Sequence, residues 1–371
     1  MSQNKNTAPK AVVLGAFPPP VNGAAKNTLL LYEGLVSCGA DAVKIDLSAS
    51  SLSHRRSITF HVERVVRNVV GLVRLAGAAR PGGRLYMVPD GGLGAWYTMA
   101  HGLAAQLLPY ESIVIHHRTF RYVDGFSRPI SILTRATRSR ATHVFLSAGM
   151  AQAYQARYGE VDSLIAGNAR FVQDEAAVPA GPRAPGPLRI GHLSNLCREK
   201  GFFDVADAYE AFVATGTAAE LHLAGPVVEP EVGARLQALQ ACHGDAVRHI
   251  GSVSGAAKTD FYRGLDVFLF PTRYDKEASP NVVYEALAAG VPAVTTGRGC
   301  LPEMIHGERG VVSPSADEFA AVAVTFMANV SLKNPTALRR CQAIKADVTV
   351  EGALALEQHR KLMRRLGVEL P

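Results

Sequence analysis

The chain has 371 residues, 48% of them hydrophobic and 19% charged, with a formal net charge of +7. That length suits about two domains with separate cores, and the balance is that of an ordinary soluble globular protein. Five scattered cysteines (Cys38, Cys197, Cys242, Cys300, Cys341) argue against a disulfide framework or a zinc site and fit a reducing cytoplasm.

No secretory signal opens the chain, and no apolar run is long enough to span a bilayer: the 85–108 region is interrupted by Pro89, Asp90, His101 and glycines. The charge is uneven. Residues 1–170 hold 19 Lys+Arg and 9 Asp+Glu, while the remainder holds 20 and 23, so the first part is positive by 10 and the rest negative by 3. A basic first half suits an anionic partner such as a membrane surface or an acidic acceptor. No nucleic-acid module or aromatic interleaving accompanies it, so nucleic acid ranks low.

In chain order, a first strand at 11–16 ends in Gly15-Ala16-Phe17-Pro18-Pro19-Pro20-Val21-Asn22-Gly23. This is not the Gly-x-Gly-x-x-Gly turn of dinucleotide enzymes, which counts against a dehydrogenase. After a strand at 42–47, the 57–79 segment alternates Val62, Val65, Val66, Val69, Val70 and Val73 with Arg64, Arg67 and Arg74, behind His54-Arg55-Arg56. Such a helix can lie on anionic lipid. Alternatively it packs its valines on its own sheet and leaves the arginines in water. Strands at 84–88 and 112–116 follow, the second ending at His116-His117, with Asp124 a few residues on; another strand spans 143–147. Alternation along a strand sends the two histidines to opposite faces.

The proline- and glycine-rich 176–187 segment reads as an interdomain linker. Strand–helix alternation then resumes, with strands at 188–193, 220–224, 247–250, 266–270 and 292–295. Two such runs imply two parallel sheets with right-handed crossovers. The loop after the 188–193 strand carries Asn195, Arg198 and Lys200, at the strand end where open α/β sheets bind ligands. Past the 266–270 strand, a polar loop with Glu277 leads to Ser279, an expected N-cap, and Pro280, an expected first-turn residue. The short helix contains Glu285 and closes at Gly290, with Pro292 beyond. Its N-terminus near Asn281, Val282 and Val283 is an anion site in waiting. Carboxylates flanking such a site suit the hydroxyl-rich ends of a nucleotide-diphosphate sugar.

Glu277-x7-Glu285 followed by Ala286-Leu287-Ala288-Ala289-Gly290-Val291-Pro292 resembles the signature of the large retaining GT-B glycosyltransferase family (family 4-like, group 1). The resemblance implies two doubly wound, Rossmann-like domains facing a cleft: residues 1–175 on the acceptor side, with a last helix at about 351–371 packing back on them, and residues 188–350 on the donor side. It implies that Glu277 meets the donor sugar, Glu285 the ribose, and the backbone from Ser279 to Val283 the distal phosphate. Lys200 would neutralise the diphosphate. In many members an arginine follows the strand glycine; here that position is His192, with Arg198 and Asn195 as stand-ins. Gly251 matches a turn beside the base, Gly23 a close approach to the sugar, and one of His116 and His117 a histidine near the transferred sugar. The loop Gly297–Ile305 resembles the family's glycine-rich loop.

No Asp-x-Asp motif is present for a metal-bound diphosphate. The expectation is a metal-independent, cofactor-free transfer from a UDP or GDP sugar to a glycan or lipid-linked glycan, in the cytoplasm or at the inner face of the plasma membrane, serving bacterial polysaccharide or glycoconjugate synthesis. The rival is a GT-B-like protein that binds nucleotide sugars without turning them over.

Overall fold

The computed structural model describes residues 10–19, 23–48, 58–171, 186–330 and 335–370. They fall into two compact units, Met1–Gly167 with Ala355–Pro371, and Asn168–Leu354. Most of the expected 176–187 linker lies outside the described residues, as do His54, Arg55 and Arg56.

The first unit is built on β1 (Lys10–Gly15), β2 (Asp41–Asp46), β3 (Gly83–Met87), β4 (Tyr110–His116), β5 (Ala141–Phe145) and β6 (Ser163–Ile165). All pairs are parallel, in the order β2-β1-β3-β4-β5-β6. Helices cover both faces, so the inner strands are apolar runs rather than alternating ones. Val12, Val13 and Leu14 are buried, and so are Ile113, Val114 and Ile115. The end of the long helix Pro335–Arg365 belongs to this core, where Leu362, Met363 and Leu366 join Leu31 and Leu35 of the helix Gly23–Ser37.

The helix Ile58–Ala78 does not pack its valines on its own sheet. Asn68, Gly71 and Leu75 face inward, while the six valines are 43 to 69% exposed. Crowding explains the inversion: a side chain at position 71 would reach within 2.7 Å of Leu47 and 3.0 Å of His101. Only glycine lets the helix lie that close. Arg64 is drawn to Asp90 and Arg67 to Glu63, so two of the three arginines are paired.

The second unit contains β7 (Leu188–Leu193), β8 (Ala219–Ala224), β9 (Val247–His249), β10 (Val267–Phe270), β11 (Ala293–Thr296) and β12 (Gly310–Ser313), again all parallel, ordered β12-β11-β10-β7-β8-β9. Phe202, Tyr209, Phe212, Leu221, Phe319 and Met327 anchor its core. Arg309, 2% exposed, sits between Asp347 (2.7 Å) and Glu351 (2.5 Å), and Glu351 also accepts from Tyr284. The buried guanidinium, held by two partly exposed carboxylates, ties the long C-terminal helix to the Glu285-bearing helix.

Two edge strands, β6 and β12, had no counterpart among the expected elements. Each is short: three residues for one, four for the other.

Candidate active site

In the second unit the strand order reverses between β7 and β10, which lie side by side. A reversal opens a crevice at the C-terminal strand ends, and both loops that carry the expected charges leave from there. The β7 loop turns through Arg198–Lys200 to Gly201, whose φ of +81° lies in the left-handed region. A side chain at 201 would sit 2.2 Å from the Pro271 carbonyl oxygen. Glycine is therefore what lets the Lys200 turn rest on the first residue after β10. The amide of Arg273 donates to the Glu199 carbonyl at 2.8 Å, and the Arg273 guanidinium reaches Asp204 at 2.6 Å, fixing the two loops together.

Lys200 Nζ then donates to Glu277 Oε2 at 2.5 Å, residues 77 apart in sequence. The pair is largely shielded, with side-chain exposures of 23% and 11%. Thr272 donates to the same oxygen at 3.4 Å, and the ammonium lies 4.6 Å from the centre of the Tyr274 ring. The 297–305 loop supports the carboxylate from behind. At Gly299 (φ +59°) a side chain would come within 2.4 Å of the Ala278 carbonyl oxygen, and the Cys300 amide donates to that oxygen at 2.7 Å.

Glu285, on the helix Asn281–Ala288, accepts from Lys258 Nζ at 2.6 Å and from the Tyr262 hydroxyl at 3.1 Å. Burial, and then the Glu285 charge, push the Tyr262 phenol well above its ordinary pKa. These two partners escaped the sequence reading, though their spacing of four on one helix was a usable sign. The helix cap differs from expectation. Pro280 occupies the cap position, while the Ser279 hydroxyl points to the Met304 sulfur at 3.8 Å and the Ser279 carbonyl accepts from Asn168. Serine loses the cap because Pro280 lacks helical ψ (120°), which delays the helix by one residue. The Val283 amide bonds the Pro280 carbonyl, so an anion would meet chiefly the amides of Asn281 and Val282.

Other expected residues stand apart from this pair. Arg198 is exposed, bonds Glu231 at 3.1 Å and lies over the Phe203 ring at 4.3 Å. Asn195 is exposed on the β7 loop. Gly251 (φ +69°) accepts the Gly225 amide through its carbonyl at 2.7 Å and faces open space. His192 is fully buried. It bonds the Leu269 carbonyl at 2.9 Å and Ser194 at 2.7 Å, and burial pulls its pKa down to about 4. It is a neutral core histidine and supplies no positive charge.

In the first unit, His117 turns into the core. Its ring bonds Tyr122 and His143, each at 2.9 Å, and stacks on Phe145. Burial, with His143 adding to it, holds its pKa well below the ordinary value. His116 points the other way, 2.8 Å from the Tyr86 hydroxyl. Asp124 closes the short helix Arg121–Asp124. Gly23 opens the helix Gly23–Ser37 and is exposed, and a methyl group on its α-carbon would meet nothing within 4 Å among the described residues. Among the described residues no cluster of three His, Cys, Asp or Glu side chains is arranged to hold a metal ion, and no helix is long and apolar enough to cross a membrane.

Two six-stranded parallel sheets with these strand orders define the GT-B fold, and solved structures agree along nearly the whole chain. A glycosyltransferase from Rickettsia africae aligns with a TM-score of 0.67 at 12% identity, over 96% of this chain and 98% of that one. A UDP-forming α,α-trehalose-phosphate synthase from Burkholderia xenovorans gives the same four values. Anabaena HepE in complex with UDP aligns at 0.61 and 14%, over 94% and 98%. Residues 187–329, in the second unit, match the family model described as Glycosyl transferases group 1. No curated protein matches the chain.

Proposed function

We propose that this chain is a retaining, metal-independent glycosyltransferase that moves a hexose from a nucleotide-diphosphate sugar to a glycan or lipid-linked glycan in bacterial polysaccharide or glycoconjugate synthesis. The observation that carries this is the Lys200–Glu277 contact at the β7/β10 reversal, with Glu285 eight residues further on. Lys200 and the amides of Asn281 and Val282 face the charge that builds on the diphosphate as the sugar–oxygen bond breaks, where fixed donors stabilise a transition state most. Glu277 orients the sugar hydroxyls, Glu285 the ribose, and the Gly251 turn borders the base. The acceptor oxygen attacks the face the diphosphate leaves, and its proton passes to the departing phosphate oxygen. Of the two histidines, His116 is the one given to the sugar, since His117 uses both ring nitrogens in the core. UDP is the first nucleotide to try, as HepE has been crystallised with UDP and with UDP-glucose.

The test is a donor panel with the purified full chain. Release of free nucleotide diphosphate from a UDP or GDP sugar, with the anomeric configuration kept in the product, is expected. Inversion would remove the retaining assignment. A second outcome has its own support: His192 is neutral and Arg198 is engaged by Glu231, so Lys200 is the only one of the three beside Glu277. Nucleotide binding by calorimetry without any sugar release would favour the non-catalytic rival.

The acceptor side is assigned to an anionic membrane surface. The outward valine row of Ile58–Ala78 is apolar, Arg74 is exposed beside it, and the surrounding unit is basic. Arginines near such a surface contribute about 1 kcal/mol each and are screened by salt. Co-sedimentation with anionic liposomes should fall with added salt, and fall further when Val66 and Val73 become serine. Sedimentation indifferent to lipid charge would return the acceptor to solution.

A further inference from the structure

Arg118 stands directly after β4, beside the end of β3, and is 9% exposed. Its Nη2 donates to the Tyr86 hydroxyl oxygen at 3.2 Å and to His116 Nδ1 at 3.4 Å. Its Nε and Nη1, with three N–H donors between them, are buried and meet no acceptor among the described residues. No carboxylate among those residues pairs with it. A guanidinium does not lose its proton in a protein, so the charge stays.

The same chain shows how a structural buried arginine is satisfied. Arg309 holds two carboxylates and a backbone carbonyl. Among the described residues Arg118 bonds a phenol and an imidazole and no carboxylate. Because a guanidinium can only donate, His116 Nδ1 is an acceptor here, and the Tyr86 hydroxyl at 2.8 Å donates to it. Neither a phenol nor an imidazole balances that charge as a carboxylate would. Burial of an unpaired charge is costly unless a counter-ion arrives. The location is a ligand position as well: β3 is one of the two strands, β1 and β3, between which the first sheet reverses.

We propose that Arg118, with Tyr86 and His116, forms an anion subsite on the first unit that takes a phosphate group of the acceptor. The acceptor part rests on the glycosyltransferase reading; the anion subsite does not. Phosphate is chosen over carboxylate because three unmet donors suit three acceptor oxygens, whereas a carboxylate offers two. Both a phosphorylated sugar and a lipid phosphate head carry that group.

The experiment uses the full chain with saturating UDP, to fill the second unit's site. Inorganic phosphate, farnesyl phosphate in detergent micelles and acetate are titrated separately, followed by ³¹P line broadening for the phosphates and calorimetry for acetate. Wild type should bind phosphate saturably. Arg118→Met should weaken it at least tenfold, with UDP affinity unchanged. Phosphate affinity in Arg118→Met within twofold of wild type overturns the proposal. Should that variant not fold, Arg118→Lys decides: loss of the planar fork should weaken phosphate about three- to tenfold, and no change overturns the subsite. Tighter binding of farnesyl phosphate supports a lipid head, and equal binding a soluble phosphorylated acceptor. A preference for acetate overturns the phosphate assignment. If UDP itself fails to bind while the Arg118-dependent phosphate signal persists, the glycosyltransferase reading falls and the subsite stands.

Discussion

The two units solve the same topological problem with opposite electrostatics. In the first the sheet reverses between β1 and β3, in the second between β7 and β10. At the second reversal every charge singled out has a counter-charge: Lys200 with Glu277, Lys258 with Glu285, Arg273 with Asp204. Near the first lies a buried arginine without a carboxylate among the described residues, and further along the same sheet, at β4 and β5, are imidazoles whose pKa burial lowers. A crevice whose charges are already paired is ordered before its ligand arrives and loses little by waiting. One that holds a lone buried cation is incomplete until an anion comes. On the proposed reading, the second unit's site is built in advance and the first unit's is finished by its ligand.

Acid should separate the units most. His143, in the first unit, titrates at about 4 rather than 6.5 because it is buried, and its neighbour His117 is shifted in the same direction. The second unit has His192, also at about 4, and His222, lowered by burial as well. Between pH 6.5 and 4 the unfolded chain binds protons that these folded imidazoles refuse. Their stabilisation is therefore complete above 6.5 and is lost as the pH falls towards 4, about 3 kcal/mol for His143 and a similar amount for His192. With His117 added, the first unit should fail first. Trp96, the single tryptophan, reports on that unit. The urea midpoint from its fluorescence should drop faster on acidification than the midpoint from circular dichroism. Parallel curves would break the comparison.

The next largest effect should be at the paired crevice. Glu277→Ala should lower turnover on the order of a hundredfold while leaving nucleotide affinity nearly intact, and Lys200→Ala should cost about 1.5–3 kcal/mol of transition-state stabilisation. Because each removal leaves the other charge unpaired, the double variant should lose much less than the sum. Additive losses measured as kcat/KM would mean the contact is incidental. Arg198→Ala, at an exposed pair with Glu231, should change stability by under about 1 kcal/mol.

What the sequence disclosed follows the same division. The second unit was legible because its site uses local signals: charged residues just past apolar strands, a glycine at a helix exit, two glutamates at fixed spacing. Ser279 misled, since the usual capping preference was outweighed by the extended backbone of Pro280. The edge strands β6 and β12 were missed because three or four residues give no periodicity to read. In the first unit the deciding facts are not local. That Val62 to Val73 face outward depends on Leu47 and His101 crowding Gly71, and that Arg118 meets a phenol rather than a carboxylate among the described residues depends on what β3 places beside it. Neither can be seen along the chain.

Glycines carry the comparison to smaller energies. Gly201 and Gly299 have positive φ and lie against backbone carbonyls, so alanine at either should cost about 1–3 kcal/mol and loosen the loops that hold Lys200 and Glu277. Stability and turnover should fall together. A thermal melt unchanged at both would show that the close approach is not what holds the pair.

Gly23 should behave in the reverse way. It begins a helix, has no positive φ and faces open space. Nothing in the packing of the first unit's described residues requires glycine there, so Gly23→Ala should leave the melt unchanged or raise stability, by up to about 1 kcal/mol from helix propensity and the stiffer unfolded chain. If the first unit is completed by its ligand, the need for glycine appears only when the ligand is present: the acceptor or sugar must pass where a methyl group would stand. Turnover should then fall several-fold while urea and thermal midpoints hold or rise. Wild-type kinetics in Gly23→Ala would remove this glycine from the site and leave it as a plain helix start, narrowing the first unit's contribution to His116 and the residues around Arg118.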